Sequence, residues 1–290
     1  IKCANTVVIN EIIRFREAYW CELNDITIDG GLPFRATRTE TYGADIGIKW
    51  DQAAYFRSRN CTVQNVRITA REATHLWESW FNNSSSLSCG WFATAERFGG
   101  DWNFTGQRKE STTFPGAESN EIYVDKHSSN CIGSLVICDG SAAPVSNFKI
   151  TELIGEGRTY TSDMPGLHQD YIYISGMSNG INISGYCYAH AQTFTGDAAY
   201  INFFNSGIGC EINLDIYQYS PAGTFVPYPT VIKTSAALAG KVDLTISDAF
   251  GGITKFIDAG SASSIIGDIY YQTDITTKNI SNMVNGNAGR

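Results

Sequence analysis

Residues 167–175 read LHQDYIYIS and place His168 two positions before Asp170, in a chain with four histidines. An imidazole beside a carboxylate is equipment for proton transfer: His168 serves as acid or base, and Asp170 orients its ring. The segment just before it carries Glu156, Arg158 and Asp163. Glycoside hydrolysis asks for two carboxyl groups about 5–9.5 Å apart, one protonated and one ionised. Glu156, Asp163 and Asp170 are the candidates for that pair, with Asp139, Asp197, Asp215 and Asp243 as further acids. Elimination from a uronate instead needs a base and a cation, which Arg158 with Tyr160 or His168 would provide. The competing role for the same corner is structural: Asp170 accepts backbone N–H groups of a turn and His168 bonds a neighbouring segment. Tyr171, Tyr173, Tyr200 and Asn202 are candidate substrate contacts, because a tyrosine ring offers an apolar face to sugar C–H groups and a hydroxyl for hydrogen bonds. Trp77 and Trp80 serve either as an aromatic platform or as loop packing. GxSxG, a phosphate-binding glycine loop and HExxH do not occur in the sequence, and no metal ligand set or cofactor motif is expected.

These residues need elements to hold them. Charged residues make up 17% of the 290, and Gly, Ser, Thr, Asn, Ile and Tyr dominate, which suits strands and turns. A net charge of −8 argues against nucleic acid as partner. No apolar run approaches the ~18–20 residues of a membrane span, so insertion into a membrane is not expected. Ile1 in place of methionine reads as a processed or excised chain. The eight cysteines match no zinc spacing, and most read as small buried apolar residues, with disulfides as the alternative.

The second half repeats. Tyr171 stands 29 residues before Tyr200, Ile183 stands 29 before Ile212, and Ile212 stands 30 before Val242. Each unit holds two short alternating runs, as in residues 210–216, CEINLDI, where Ile212, Leu214 and Ile216 share one face. In the same alternation Ile172 and Ile174 point inward, Tyr171 and Tyr173 point out, and Tyr171 stacks with Tyr200 on an outer face. Looser copies occur at residues 21–28, 61–68 and 131–137. A unit of 20–30 residues with two or three short strands cannot bury its apolar side alone, so it stacks on its neighbours as one coil of a solenoid. The fold class expected is therefore all-β, a single-stranded parallel β-helix with loop excursions. The nearest approaches to helical patterns are residues 11–20 and 72–81. The expected organisation is a lead-in or cap at 1–20, a β-helix domain at 21–280 with a Trp-rich irregular insertion at about 70–126, and a tail at 281–290.

Residues 60–66 (NCTVQNV), 120–125 (NEIYVD), 130–137 (NCIGSLVI) and the HQDYIY phrase at 168–173 carry a resemblance. The chain resembles the pectate-lyase-like superfamily of right-handed parallel β-helices, and most closely bacteriophage tailspike and depolymerase proteins. HQDYIY is similar to the His-x-Asp-Gly-Ile-Gln phrase of such proteins, with Tyr171 and Tyr173 standing where Gly and Gln do. The resemblance implies a homotrimer in the virion tail, assembled in the host cytoplasm beside other tail proteins, that binds and depolymerises bacterial surface polysaccharide. Two alternatives stay open: a trimeric adhesin of the same fold that binds without cleaving, and a secreted polysaccharide lyase or epimerase.

Overall fold

The computed structural model describes residues 1–4, 6–33, 41–73, 76–87, 100–105, 119–130, 134–158, 170–189, 198–204, 206–218, 229–248, 252–259, 263–272 and 284–285, in some strands by backbone alone. Among these residues there are strands and turns and no helix. The strands pair in parallel, each with the strands one turn of chain earlier and later. Nine coils stack this way, starting at residues 8, 43, 69, 100, 134, 172, 199, 230 and 255, and Val284–Asn285 opens a tenth. The 29- and 30-residue spacings read from the sequence are coil-to-coil registers: Ile172 opposes Ile201, Ile183 opposes Ile212, and Ile212 opposes Val242.

Each coil has three faces. The first carries Gly43–Ala54, Thr69–Ala73, Ala199–Phe203 and Thr230–Thr234. The second carries Glu22–Asn24 and Arg57–Arg59 and continues through residues 80–82, 123–125 and 149–151. The third carries Thr27–Asp29, Thr62–Gln64 and Ser85–Leu87. Alternation sends one side chain in two to the axis. Trp50, Phe56 and Phe81 fill the early coils, their rings meeting edge-on at 5.4 Å from Trp50. Ile183, Ile212, Val242, Leu214, Leu244, Ile216 and Ile246 fill the later ones, all nearly inaccessible to solvent. Cys3, Cys61, Cys187 and Cys210 are free and buried, as small apolar residues, and Cys21 is half-buried.

The corners are built on left-handed backbone. Between the second and third faces, Asp25, Asn60, Asn83, Lys126 and Glu152 occupy equivalent positions at φ of 54°, 53°, 50°, 56° and 49°. Asn and Asp tolerate this region because their short polar side chains bond locally. Here they bond along the stack: Asn60 Nδ2 donates to Asp25 Oδ1 and Asn83 Nδ2 to Asn60 Oδ1, both at 2.7 Å. The ladder ends at Glu152. In the next coil the chain passes through Ser184 and Gly185 instead, and Gly185 lies so close to the preceding coil that a Cβ would sit 2.3 Å from the Leu153 carbonyl oxygen.

Three details differ from the sequence reading. Val8–Tyr19 is a full strand of the first coil rather than a lead-in, and Lys2 bridges Asp29 beneath it. Val284–Asn285 pairs with Lys255–Asp258, inside the segment read as a tail. The two stretches closest to helical patterns are strands, Val8–Tyr19 and Leu76–Asn82, because coil-to-coil pairing satisfies their backbone groups.

Candidate functional site

Of the opening motif's His–Asp pair, the described residue is Asp170, which joins two coils. Asp170 is buried. Its Oδ1 accepts the Ala199 N–H at 2.9 Å and its Oδ2 accepts Asn202 Nδ2 at 2.8 Å. The carboxylate thus ties one coil to the next, and Asn202, read as a substrate contact, is one of its donors. His168 and Asp163 lie outside the described residues. Glu156 and Arg158 lie in the strand Ser134–Arg158, in backbone register with Tyr188 and Ala189; their side chains are outside the described residues.

Tyr171 and Tyr200 require a correction. Both are core residues, 1% and 0% exposed, and their rings meet edge to face at 6.3 Å. Alternation fails at Tyr171 because that residue sits in the turn before Ile172–Asn179, where the chain has not yet entered the strand. Room for its ring comes from Gly155 one coil earlier, where a Cβ would stand 1.6 Å from the Tyr171 hydroxyl oxygen. Neither tyrosine reaches a ligand from the outer face. The inward isoleucines agree with the alternation: Ile172 and Ile174 are buried. Tyr173 is half-buried beside exposed Phe204, their ring centroids 6.2 Å apart.

The second face and the corner beside it hold two clefts. The first, about 420 Å³, is lined by Glu22, Asn24, Arg57, Ser58, Arg59, Trp80 and Asn82. Pairing fixes this arrangement. Glu22, Arg57, Trp80 and Tyr123 form one outward row through four coils, and Asn24, Arg59, Asn82 and Asp125 form the next. Ser58 lies between the two arginines and points inward. The Arg57 guanidinium lies 5.6 Å from the centre of the Trp80 ring, and Tyr123 stacks on that ring at 6.0 Å and 13°. Trp80 is therefore the middle of a stack rather than a bare platform. Trp77 is half-buried at the preceding bend.

The second cleft, about 620 Å³, opens where the corner ladder ends. Its walls include Asn83, Lys126, Glu152, Ile154, Ser184, Tyr186, Asn213 and Asp215. The change from a left-handed corner to a direct passage at Gly185 alters the cross-section of the coil and leaves a notch. Lys126 Nζ lies 3.9 Å from Glu152 Oε2, with both side chains more than half exposed. Asp215, an outward acid in the sequence reading, lines this cleft. Asp243, in register with Asn213 rather than Asp215, does not: it accepts Lys241 Nζ at 2.6 Å and the Asp268 N–H at 3.1 Å, and the bond from Lys241 holds its carboxyl below the usual range.

The two clefts share no lining residue, but Asn82 of the first and Asn83 of the second are neighbours in the chain, and the linings taken together span the first coil to the seventh. Six steps of ~4.8 Å give a length of about 29 Å. Arg57, Arg59, Lys126, Glu152, Tyr186 and Asn213 were not singled out from the sequence. The signal available for the arginines was the alternation Arg57-Ser58-Arg59 directly before Asn60, which sends both guanidiniums to one side. Among the described residues no group of three or more His, Cys, Asp or Glu has the arrangement of a metal site. Comparison of the chain with protein families, curated proteins and solved structures finds no match.

Proposed function

We propose that this chain is the glycan-binding solenoid of a bacteriophage tailspike-like protein, a right-handed parallel β-helix acting as a homotrimer on bacterial surface polysaccharide. The observation that carries the reading is a pair of clefts whose linings together span seven stacked coils. A polymer of sugars is long and repetitive, and stacked coils present side chains at a fixed repeat. The chemistry of the walls suits sugars: Asn24, Asn82, Asn83 and Asn213 offer paired donors and acceptors to hydroxyls, and Trp80 and Tyr186 supply aromatic surface.

Depolymerisation belongs to the same proposal. The second cleft offers Glu152 and Asp215, from coils two steps apart, as a pair of carboxylates for hydrolysis. Binding without cleavage is the second reading. It is favoured by the 66% exposure of the Glu152 side chain, since a general acid is usually sheltered from water. The test is titration of the full chain with a panel of capsular and O-antigen polysaccharides, together with an assay for new reducing ends. Binding to at least one polymer is expected, weakened about tenfold by Trp80→Ala or Tyr186→Ala through lost aromatic contact. Failure to bind any polymer of the panel overturns the glycan reading. Binding without new reducing ends overturns the depolymerase and leaves the adhesin.

A further inference from the structure

We propose that the cleft on the second face of the first three coils binds the carboxylate of an acidic sugar, with Arg57 and Arg59 as its anion contacts. This rests on the glycan reading and adds the class of sugar. Arg57 and Arg59 are exposed, and among the described residues neither pairs with a carboxylate, although Glu22 is the register neighbour of Arg57. Five other described cations, Arg14, Lys49, Arg67, Lys241 and Lys255, each form an ion pair. Two guanidiniums against one carboxylate give this cleft a local excess of positive charge in a chain of net charge −8. The acidic chain repels anionic polymers at a distance, but that repulsion fades over a Debye length of ~8 Å at physiological salt, so contacts at the cleft decide binding.

The geometry is prepared for a planar anion. Arg57 and Arg59 stand two residues apart on one strand, so their side chains leave the same side about 6.8 Å apart. The Arg57 guanidinium carbon lies 5.6 Å from the centre of the Trp80 ring, within cation–π range, and among the described residues no carboxylate takes up its N–H donors. A carboxylate accepts such donors in pairs. Asn24 and Asn82 flank Arg59 in the neighbouring coils and are placed for the hydroxyls of the same sugar. Glu22 tempers the site: its Oε2 accepts Asn24 Nδ2 at 3.4 Å, and its charge opposes an anionic ligand.

The experiment compares uronate-containing capsular polysaccharides with their carboxyl-reduced counterparts, titrated into the full chain at physiological salt. The reduced polymers are expected to bind at least tenfold more weakly. R57Q/R59Q should lose a similar factor on the acidic polymers and nothing on the reduced ones. E22Q should tighten binding of the acidic polymers severalfold, and K241Q, far along the solenoid, should leave it unchanged. Changing the ligand rather than the protein keeps the test independent of how any variant folds. Equal affinity for acidic and reduced forms overturns the carboxylate inference and leaves the glycan reading standing. Absence of binding to both forms overturns both.

Discussion

Asp170 illustrates how a residue with catalytic credentials is claimed by the fold. Its two oxygens accept one main-chain and one side-chain donor from the next coil. Truncation strands both donors, at about 1–3 kcal/mol for each buried group left unbonded. Asp170→Ala is therefore expected to lower the melting temperature by roughly 5–10 °C while glycan affinity per folded molecule stays constant. Lost binding at an unchanged melting temperature would return Asp170 to the ligand site. The thiols give a second test at this scale. Burial pushes the Cys210 thiol up to about 11, and its Sγ donates to the Ala239 carbonyl at 3.4 Å. Thiolate is the reactive form. In native protein at pH 8, iodoacetamide is expected to modify half-buried Cys21 and to reach Cys61, Cys187 and Cys210 only after denaturant, as read site by site by mass spectrometry. Native labelling of Cys210 would contradict its burial.

At the scale of the element, the corner ladder decides both stability and the position of the second cleft. Asn60 donates to Asp25, accepts from Asn83, and holds φ of 53°. Asn60→Ala removes two side-chain hydrogen bonds at about 1 kcal/mol each and places alanine in a backbone region that disfavours it by ~1–2 kcal/mol. A loss of about 2–4 kcal/mol is expected by denaturant unfolding. Asn60→Gly should recover the backbone share, because glycine adopts left-handed φ freely. Equal destabilisation by the two variants would show that the backbone conformation contributes nothing. At Gly185 the constraint is the approach of two coils: its φ is +140° and the Leu153 backbone nitrogen would lie 2.4 Å from a Cβ. Gly185→Ala is expected to separate coils five and six, raising amide exchange in residues 149–155 and 182–187 above that of the first three coils. Uniform exchange along the chain would count against so local a joint.

The whole molecule is a stack in which each coil buries its apolar side against its neighbours, so stability is close to a sum of nearest-neighbour terms. Tyr217 and Tyr270 remain exposed on the third face, outside the lining of the second cleft. In the proposed trimer these two residues lie between subunits, and the cleft stays open. Sedimentation should then give three times the 31.8 kDa chain mass, with Tyr270→Glu shifting the distribution toward the monomer. A wild-type monomer at micromolar concentration would remove the trimer and favour the monomeric lyase alternative.

The sequence by itself determined the all-β class, the stacking of repeats, and the register of the later coils, because period-2 alternation and a recurring spacing are written directly in the chain: Ile183, Ile212 and Val242 had to oppose one another. It also determined that Cys61, Cys187 and Cys210 among the described cysteines are buried, since they sit at apolar positions of the repeat. The tertiary structure alone decided which exposed residues share a cleft. Coil lengths vary, with register offsets of 35 residues from Glu22 to Arg57, 23 from Arg57 to Trp80 and 43 from Trp80 to Tyr123. No constant period aligns these four side chains, yet main-chain pairing brings them into one row. The burial of Tyr171 and Tyr200 was likewise out of reach: Tyr171 sits in the turn that enters its strand, where alternation says nothing, and Tyr200 lies in Ala199–Phe203, whose first three residues are all buried.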